Sequence, residues 1–124
     1  MKKIVKLPEA ELEIMLIIWE QEKNIKTEQI IEKLEGKKAW KKTTVLNFLA
    51  RLVDRGFLEV KKQGRFNVYN PIINEQEYLE QESKTFLRKV FGNSIKKLVA
   101  SLYNSKSISK KDLEELQCFI KEVK

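Results

Sequence analysis

Thr43, Asn47 and Arg51 are the side chains best suited to meet the edges of nucleic-acid bases. Asparagine can donate and accept together against adenine, and arginine can fork onto guanine or a phosphate. Leu46 and Ala50 could rest against a thymine methyl. Lys41, Lys42 and Thr44 could meet phosphates at one end of this segment, and Lys61, Lys62 and Arg65 could do so from a second segment. This is recognition chemistry, not bond-making. The sequence has no histidine and one cysteine, Cys118. A Cys/His zinc centre, an internal disulfide and imidazole acid–base catalysis are therefore excluded. No glycine-rich phosphate loop or converging carboxylate pair is visible. Neither an enzyme nor a metal or other cofactor is expected.

The charge is localised. Residues 37–65 carry nine Lys or Arg against two acids, Asp54 and Glu59, which matches the whole net charge of +7. A basic zone of this kind points to a polyanion, the plain alternative being a solvated lysine-rich surface. A length of 124 residues with 42% hydrophobic content suits one globular domain plus an appendage. No apolar run reaches the roughly 18–20 residues of a membrane span. The basic start, Met1-Lys2-Lys3-Ile4, is followed by no long apolar core or small-residue cleavage site. A cytoplasmic protein without membrane insertion is expected.

The elements that must position these residues follow from periodicity. A first helix should start near Pro8, with Glu9 and Glu11 at its positive end and Leu12, Met15, Leu16 and Trp19 on one apolar face. Thr27 suits the N-cap of a second helix, with Ile30, Ile31 and Leu34 inward and Gly36 at its end. A third helix runs from Lys42 or Thr43 to Arg55, stopped by Gly56, with Val45, Phe48, Leu49 and Leu52 inward. At 100° per residue, Thr43, Leu46, Asn47, Ala50 and Asp54 then face outward, with Arg51 at the edge. Alternation in 57–60 and 66–69 around Gly64 predicts a two-stranded ribbon whose tip carries Lys61, Lys62 and Arg65.

Asn70-Pro71 marks a boundary. Residues 1–71 read as a winged helix-turn-helix and residues 72–124 as a helical dimerisation domain, so the fold class is mainly α. Asn74 with Glu77, Ser94, and Ser109 with Asp112 are capping signals for three helices. Their apolar residues Phe86, Leu87, Val90, Phe91, Leu98, Leu102, Leu113, Leu116, Phe119 and Ile120 are too many for so short a segment to bury alone. Pairing with the same segment of a second copy would cover them, the alternative being that they fold back on their own domain. The expected activity is binding of a palindromic double-stranded DNA operator by a homodimer. The reading from another class is a basic winged-helix adaptor for an acidic protein partner.

The segments Leu7-Pro8-Glu9-Ala10-Glu11-Leu12-Glu13-Ile14-Met15, Trp40-Lys41-Lys42-Thr43-Thr44-Val45 and Leu49-Ala50-Arg51-Leu52-Val53-Asp54-Arg55-Gly56 resemble the BlaI/MecI/CopY penicillinase-repressor family. So do Gly64-Arg65 through Tyr69-Asn70-Pro71, and Lys84-Thr85-Phe86-Leu87 followed by Phe91-Gly92. The resemblance implies a dimeric transcriptional repressor of antibiotic-resistance or metal-homeostasis genes. In the β-lactam branch it implies a membrane sensor-protease whose signal ends repression by cutting the dimerisation region. The chain departs from the family in three places. Cys118 stands alone, so the paired-cysteine metal motif of the copper branch is absent. The positions matching the cut Asn-Phe bond read Ser101-Leu102, the candidate proteolytic site, and this disfavours the same cleavage route. Leu46 stands where relatives often carry a basic residue, which implies a different operator or weaker phosphate contact.

Overall fold

The computed structural model describes residues 3–21 and 24–124. In chain order the elements are α1 (Glu9–Glu20), β1 (Ile25–Lys26), α2 (Thr27–Leu34), α3 (Lys42–Asp54), β2 (Leu58–Gln63) and β3 (Phe66–Pro71). Three further helices follow: α4 (Glu75–Phe91), α5 (Ile95–Asn104) and α6 (Lys110–Val123). The chain forms two compact units, one ending at Glu82 and the other spanning Ser83–Lys124. The division expected after Pro71 falls later because Ile73 and Tyr78 are buried in the first unit's core.

α3 shows how packing overrides local preference. Its first turn contains Thr43, Thr44 and Val45, β-branched residues that each disfavour helix by about 0.5 kcal/mol. Val45, Leu49 and Leu52 are at most 1% exposed, and each such burial contributes about 2 kcal/mol. The core term wins by several-fold. Gly56 stops the helix at φ 81°. The Gly56 amide donates to the Val53 carbonyl and the Phe57 amide to that of Leu52, both at 3.0 Å, which is the Schellman pattern. This sharp exit turns the chain directly into β2.

α1 differs from its expected orientation. Its buried face is Glu11, Ile14, Met15, Ile17 and Ile18. Met15 lies inward as expected, but Leu16 is 42% exposed, and Leu12 and Trp19 are only half-buried. The helix is apolar on nearly every side, so spacing alone selects no face. A charged residue, Glu11, takes a core position at 1% exposure because Arg55 Nε donates to its Oε1 at 2.8 Å. The pair fixes the end of α3 against the first turn of α1.

Two smaller differences concern caps and strands. The N-cap of α2 is Lys26 rather than Thr27, which is itself buried in the first turn. The Lys26 amide donates to Gln29 Oε1 at 2.8 Å. The ribbon is three-stranded, not two-stranded. β1 pairs antiparallel with β3 through Ile25 and Tyr69, giving the order β1-β3-β2. β2 and β3 run in register from Leu58 opposite Pro71 to Gln63 opposite Phe66. That leaves Gly64-Arg65 as a two-residue turn with Gly64 at φ 66°, the arrangement of a II′ hairpin.

The start of α4 is tied to this core. Asn74 and Glu77 form the expected reciprocal cap, at 2.8 and 3.0 Å. Tyr78 is 3% exposed, with its ring against Trp19 and Phe57, and its hydroxyl accepts from the Leu7 amide at 3.0 Å. Burial pushes the Tyr78 phenol above its ordinary pKa; the Leu7 contact opposes the shift and Glu82 adds to it. The Trp19 indole donates to the Ile73 carbonyl at 2.9 Å.

The second unit has well-formed helix starts. Ser94 Oγ accepts from the Lys97 amide at 3.2 Å, and Ser109 and Asp112 cap each other at the start of α6. Yet no residue from Ser83 to Lys124 is fully buried.

Removing the arginine of the core pair strands a buried carboxylate. Arg55→Ala is expected to destabilise the chain by about 2–3 kcal/mol, less than for a fully enclosed pair because Arg55 is about a third exposed. The double change Glu11→Leu with Arg55→Leu should recover most of that loss. Urea unfolding midpoints of the three proteins check both expectations.

Candidate nucleic-acid interface

The outward stripe of α3 is where the inward stripe leaves it. Thr43, Asn47, Ala50, Arg51 and Asp54 are exposed, and Lys41 and Lys42 stand exposed at the helix start. Thr44 and Leu46 are half-buried. The core stripe matches expectation except that Phe48 is only partly buried, at the margin of the core.

The sheet packs beside this helix and leaves a groove of about 420 Å³. Leu46, Ala50, Val53 and Asp54 of α3 form one wall, and Val60, Lys62, Asn67 and Tyr69 of the sheet form the other. The alternation of strand side chains separates the ribbon's cations. Lys62 lies on the helix side, in the groove. Its neighbour Lys61 belongs to the opposite face, where its Nζ lies 3.7 Å from Glu59. Arg65 is exposed in the turn at the tip. On the sheet face away from α3, Lys26 Nζ sits 4.3 Å from the centre of the 41%-exposed Phe66 ring. The structure thus brings Leu46, Ala50, Lys62 and Asn67 to one concave side, with Asn47 exposed on the same helix, and sets Lys61 apart from it.

An outward helix with short polar side chains, flanked by a basic hairpin, can lie in a groove with its Cβ atoms close to the partner. A penicillinase repressor family model matches residues 7–122. The chain belongs to that family. The penicillinase repressor of Bacillus licheniformis is 33% identical over 124 residues, covering all of this chain and 96% of its own. The methicillin resistance regulatory protein MecI of Staphylococcus aureus is 30% identical over 115 residues, 93% of each chain. The solved DNA-binding domain of the repressor BlaI superposes with a TM-score of 0.55 at 40% identity, over 63% of this chain and 94% of that one. The monomeric form of Bacillus licheniformis BlaI in complex with the blaP half-operator superposes with a TM-score of 0.53 at the same identity and coverage.

As a member of this family the chain is a winged-helix, DNA-binding transcriptional repressor and not an enzyme. Among the described residues no helix is long and apolar enough to cross a membrane, and no cluster of three potential metal ligands occurs.

The remaining sequence candidates lie in the repressor's second unit. Phe86, Val90, Leu116, Phe119 and Ile120 are exposed, between 36% and 61%. Leu87, Phe91, Leu98, Leu102 and Leu113 are half-buried. The Ser101-Leu102 bond lies inside α5, with Ser101 exposed.

Sequence reasoning missed two features around the interface. It placed Glu11 at the helix dipole rather than beneath Arg55, because a carboxylate on a helical first turn has an ordinary explanation. Trp40 carries no expectation of its own in the sequence, yet its ring meets Phe48 edge-on at 5.2 Å. A lone tryptophan two residues before a helix start was the available signal.

Proposed function

We propose that this repressor binds a palindromic duplex operator as a homodimer, one copy per half-site. α3 enters the major groove with Thr43, Asn47 and Arg51 toward base edges and Leu46 or Ala50 toward thymine methyls. Lys41, Lys42 and Thr44 meet phosphates at the helix start, and Lys62 and Arg65 meet them from the wing. Lys61, turned to the other face and beside Glu59, contributes less. The observation that carries this reading is the exposed stripe of α3 with Thr43, Asn47 and Arg51, next to a groove that Ala50 and Asp54 of the helix line together with Lys62 of the hairpin. The half-operator complex of a monomeric BlaI supports one copy per half-site.

The dimer rests on the second unit. The second unit, the latter part of α4 with the capped helices α5 and α6, has formed its backbone structure with no fully buried residue and so without acquiring a core. Another copy of the same unit supplies the missing surface, which makes Ser83–Lys124, the greater part of the expected 72–124 segment, a dimerisation region. A twofold pair then presents two α3 helices about 34–36 Å apart, one turn of DNA. Loss of the dimer ends repression, because each half-site alone forfeits the effective concentration of the other. The names of the relatives favour antibiotic-resistance genes of the β-lactamase type as targets, stress-response genes being the alternative. A membrane sensor-protease is the proposed upstream partner. The helical setting of Ser101-Leu102 means that any cut there follows local unwinding of α5.

Neutralisation of about 8 phosphates by the dimer predicts a slope near −7 for log affinity against log salt. Fluorescence anisotropy with a labelled duplex from the gene's own upstream region measures it, and a flat response refutes the reading. On the same duplex, Asn47→Ala should cost about 1–3 kcal/mol and relax base preference at one position of each half-site. Lys62→Ala should instead weaken every sequence alike. Leu116→Asp should convert dimer to monomer in sedimentation and lower operator affinity, while the circular dichroism of the first unit persists. A chain that sediments as a monomer at micromolar concentration before any substitution overturns the dimer.

A further inference from the structure

We propose that Phe48 and Trp40 are positioning residues for Arg51, holding its guanidinium against an aromatic face so that its N–H edge is presented to DNA in one orientation. The inference rests on the reading of α3 as the base-contacting helix and adds a device by which that helix gains selectivity.

The contacts form a continuous ladder on the flank of α3 opposite the wing. The Arg51 guanidinium carbon lies 5.9 Å from the centre of the Phe48 ring, one helical turn earlier. Phe48 meets the Trp40 ring edge-on, with centroids 5.2 Å apart and planes at 63°. Lys38 Nζ lies 5.7 Å from the centre of the Trp40 ring and pairs with Glu13 of α1 at 3.1 Å. Phe48 and Trp40 are both partly buried against the core, so neither ring swings freely.

The two arginines near the end of α3 are held differently. Arg55 spends its Nε on the buried Glu11. Arg51 is exposed and, among the ion pairs of the described residues, takes part in none. A guanidinium lying over a ring is attracted through the ring face and keeps its five in-plane donors available. An arginine so placed has fewer rotamers to lose on meeting a base, which favours the sequence that matches its fixed geometry. A free arginine would reach many phosphates equally well.

The test uses the full chain and a duplex that the unsubstituted protein enriches from a random library, compared with a scrambled duplex of equal length. Phe48→Leu is expected to lower the ratio of the two affinities about 2- to 5-fold, the range of an exposed cation–π contact. Phe48→Tyr, which keeps the ring, should leave the ratio unchanged. In an Arg51→Ala background, Phe48→Leu should have no further effect on the ratio. Trp40→Leu should shift the ratio in the same direction, and no shift removes Trp40 from the device.

Without DNA, the Arg51 Nε–H proton should show an upfield ring-current shift that Phe48→Leu abolishes; its absence overturns the proposal. Equal losses of ratio with and without Arg51 also overturn it, since the ring would then only support the helix. If the unsubstituted chain enriches no sequence, base reading by α3 itself fails. Enrichment without Phe48–Arg51 coupling defeats the positioning device alone.

Discussion

The rotation of α3 about its own axis governs what this molecule can touch. Val45, Leu49 and Leu52 are locked into the core by contacts that no neighbouring register could reproduce, and Arg55 is tied to a carboxylate inside α1. With that side committed, Thr43, Asn47 and Ala50 have only one direction left. A rotation of one residue, 100°, would bring polar side chains into the core and cost several buried hydrocarbon contacts at once. The Schellman turn at Gly56 adds the second constraint: it sends the chain back as β2, which places the wing along one flank of the same helix. The proposed recognition geometry is therefore a consequence of packing on the helix's hidden side.

Much of this arrangement was legible in the residues, and the gaps have physical causes. α3 could be oriented from its spacing because its apolar positions fall on one stripe, with hydrogen-bonding or small residues opposite. α1 could not, because Leu12, Leu16 and Trp19 compete with Ile14, Met15 and Ile18 for the inside, and the deciding member is a glutamate. Its burial depends on an arginine 44 positions away, a partner that periodicity cannot see. β1 is two residues long and has no pattern of its own, so its pairing with β3 emerges only in three dimensions. The hairpin's alternation was correct, but Val60 and Phe66 remain over 40% exposed. Alternation says which residues share a face and not whether anything covers it.

The helix caps of the second unit were equally readable, since Ser94 and the Ser109–Asp112 pair use local bonds alone. What surrounds those helices was not, because an apolar stripe carries no label for its partner. The contrast between the units is instructive. The first buries large side chains such as Phe57, Ile14 and Met15 almost completely, while the second leaves Phe119 and Val123 more than half exposed. Strong local structure with weak burial is the observation behind the proposed pairing of this unit with a second copy.

The central claim, that the stripe opposite Val45, Leu49 and Leu52 is the surface that meets DNA, is most directly tested by amide chemical-shift mapping. Titration of the isotope-labelled repressor with a duplex half-site should move the signals of Thr43, Asn47, Ala50 and Arg51 together with those of Lys62 and Arg65. Shifts confined to the outer face of α1 around Leu16, or to α5 and α6, with α3 undisturbed, would contradict it.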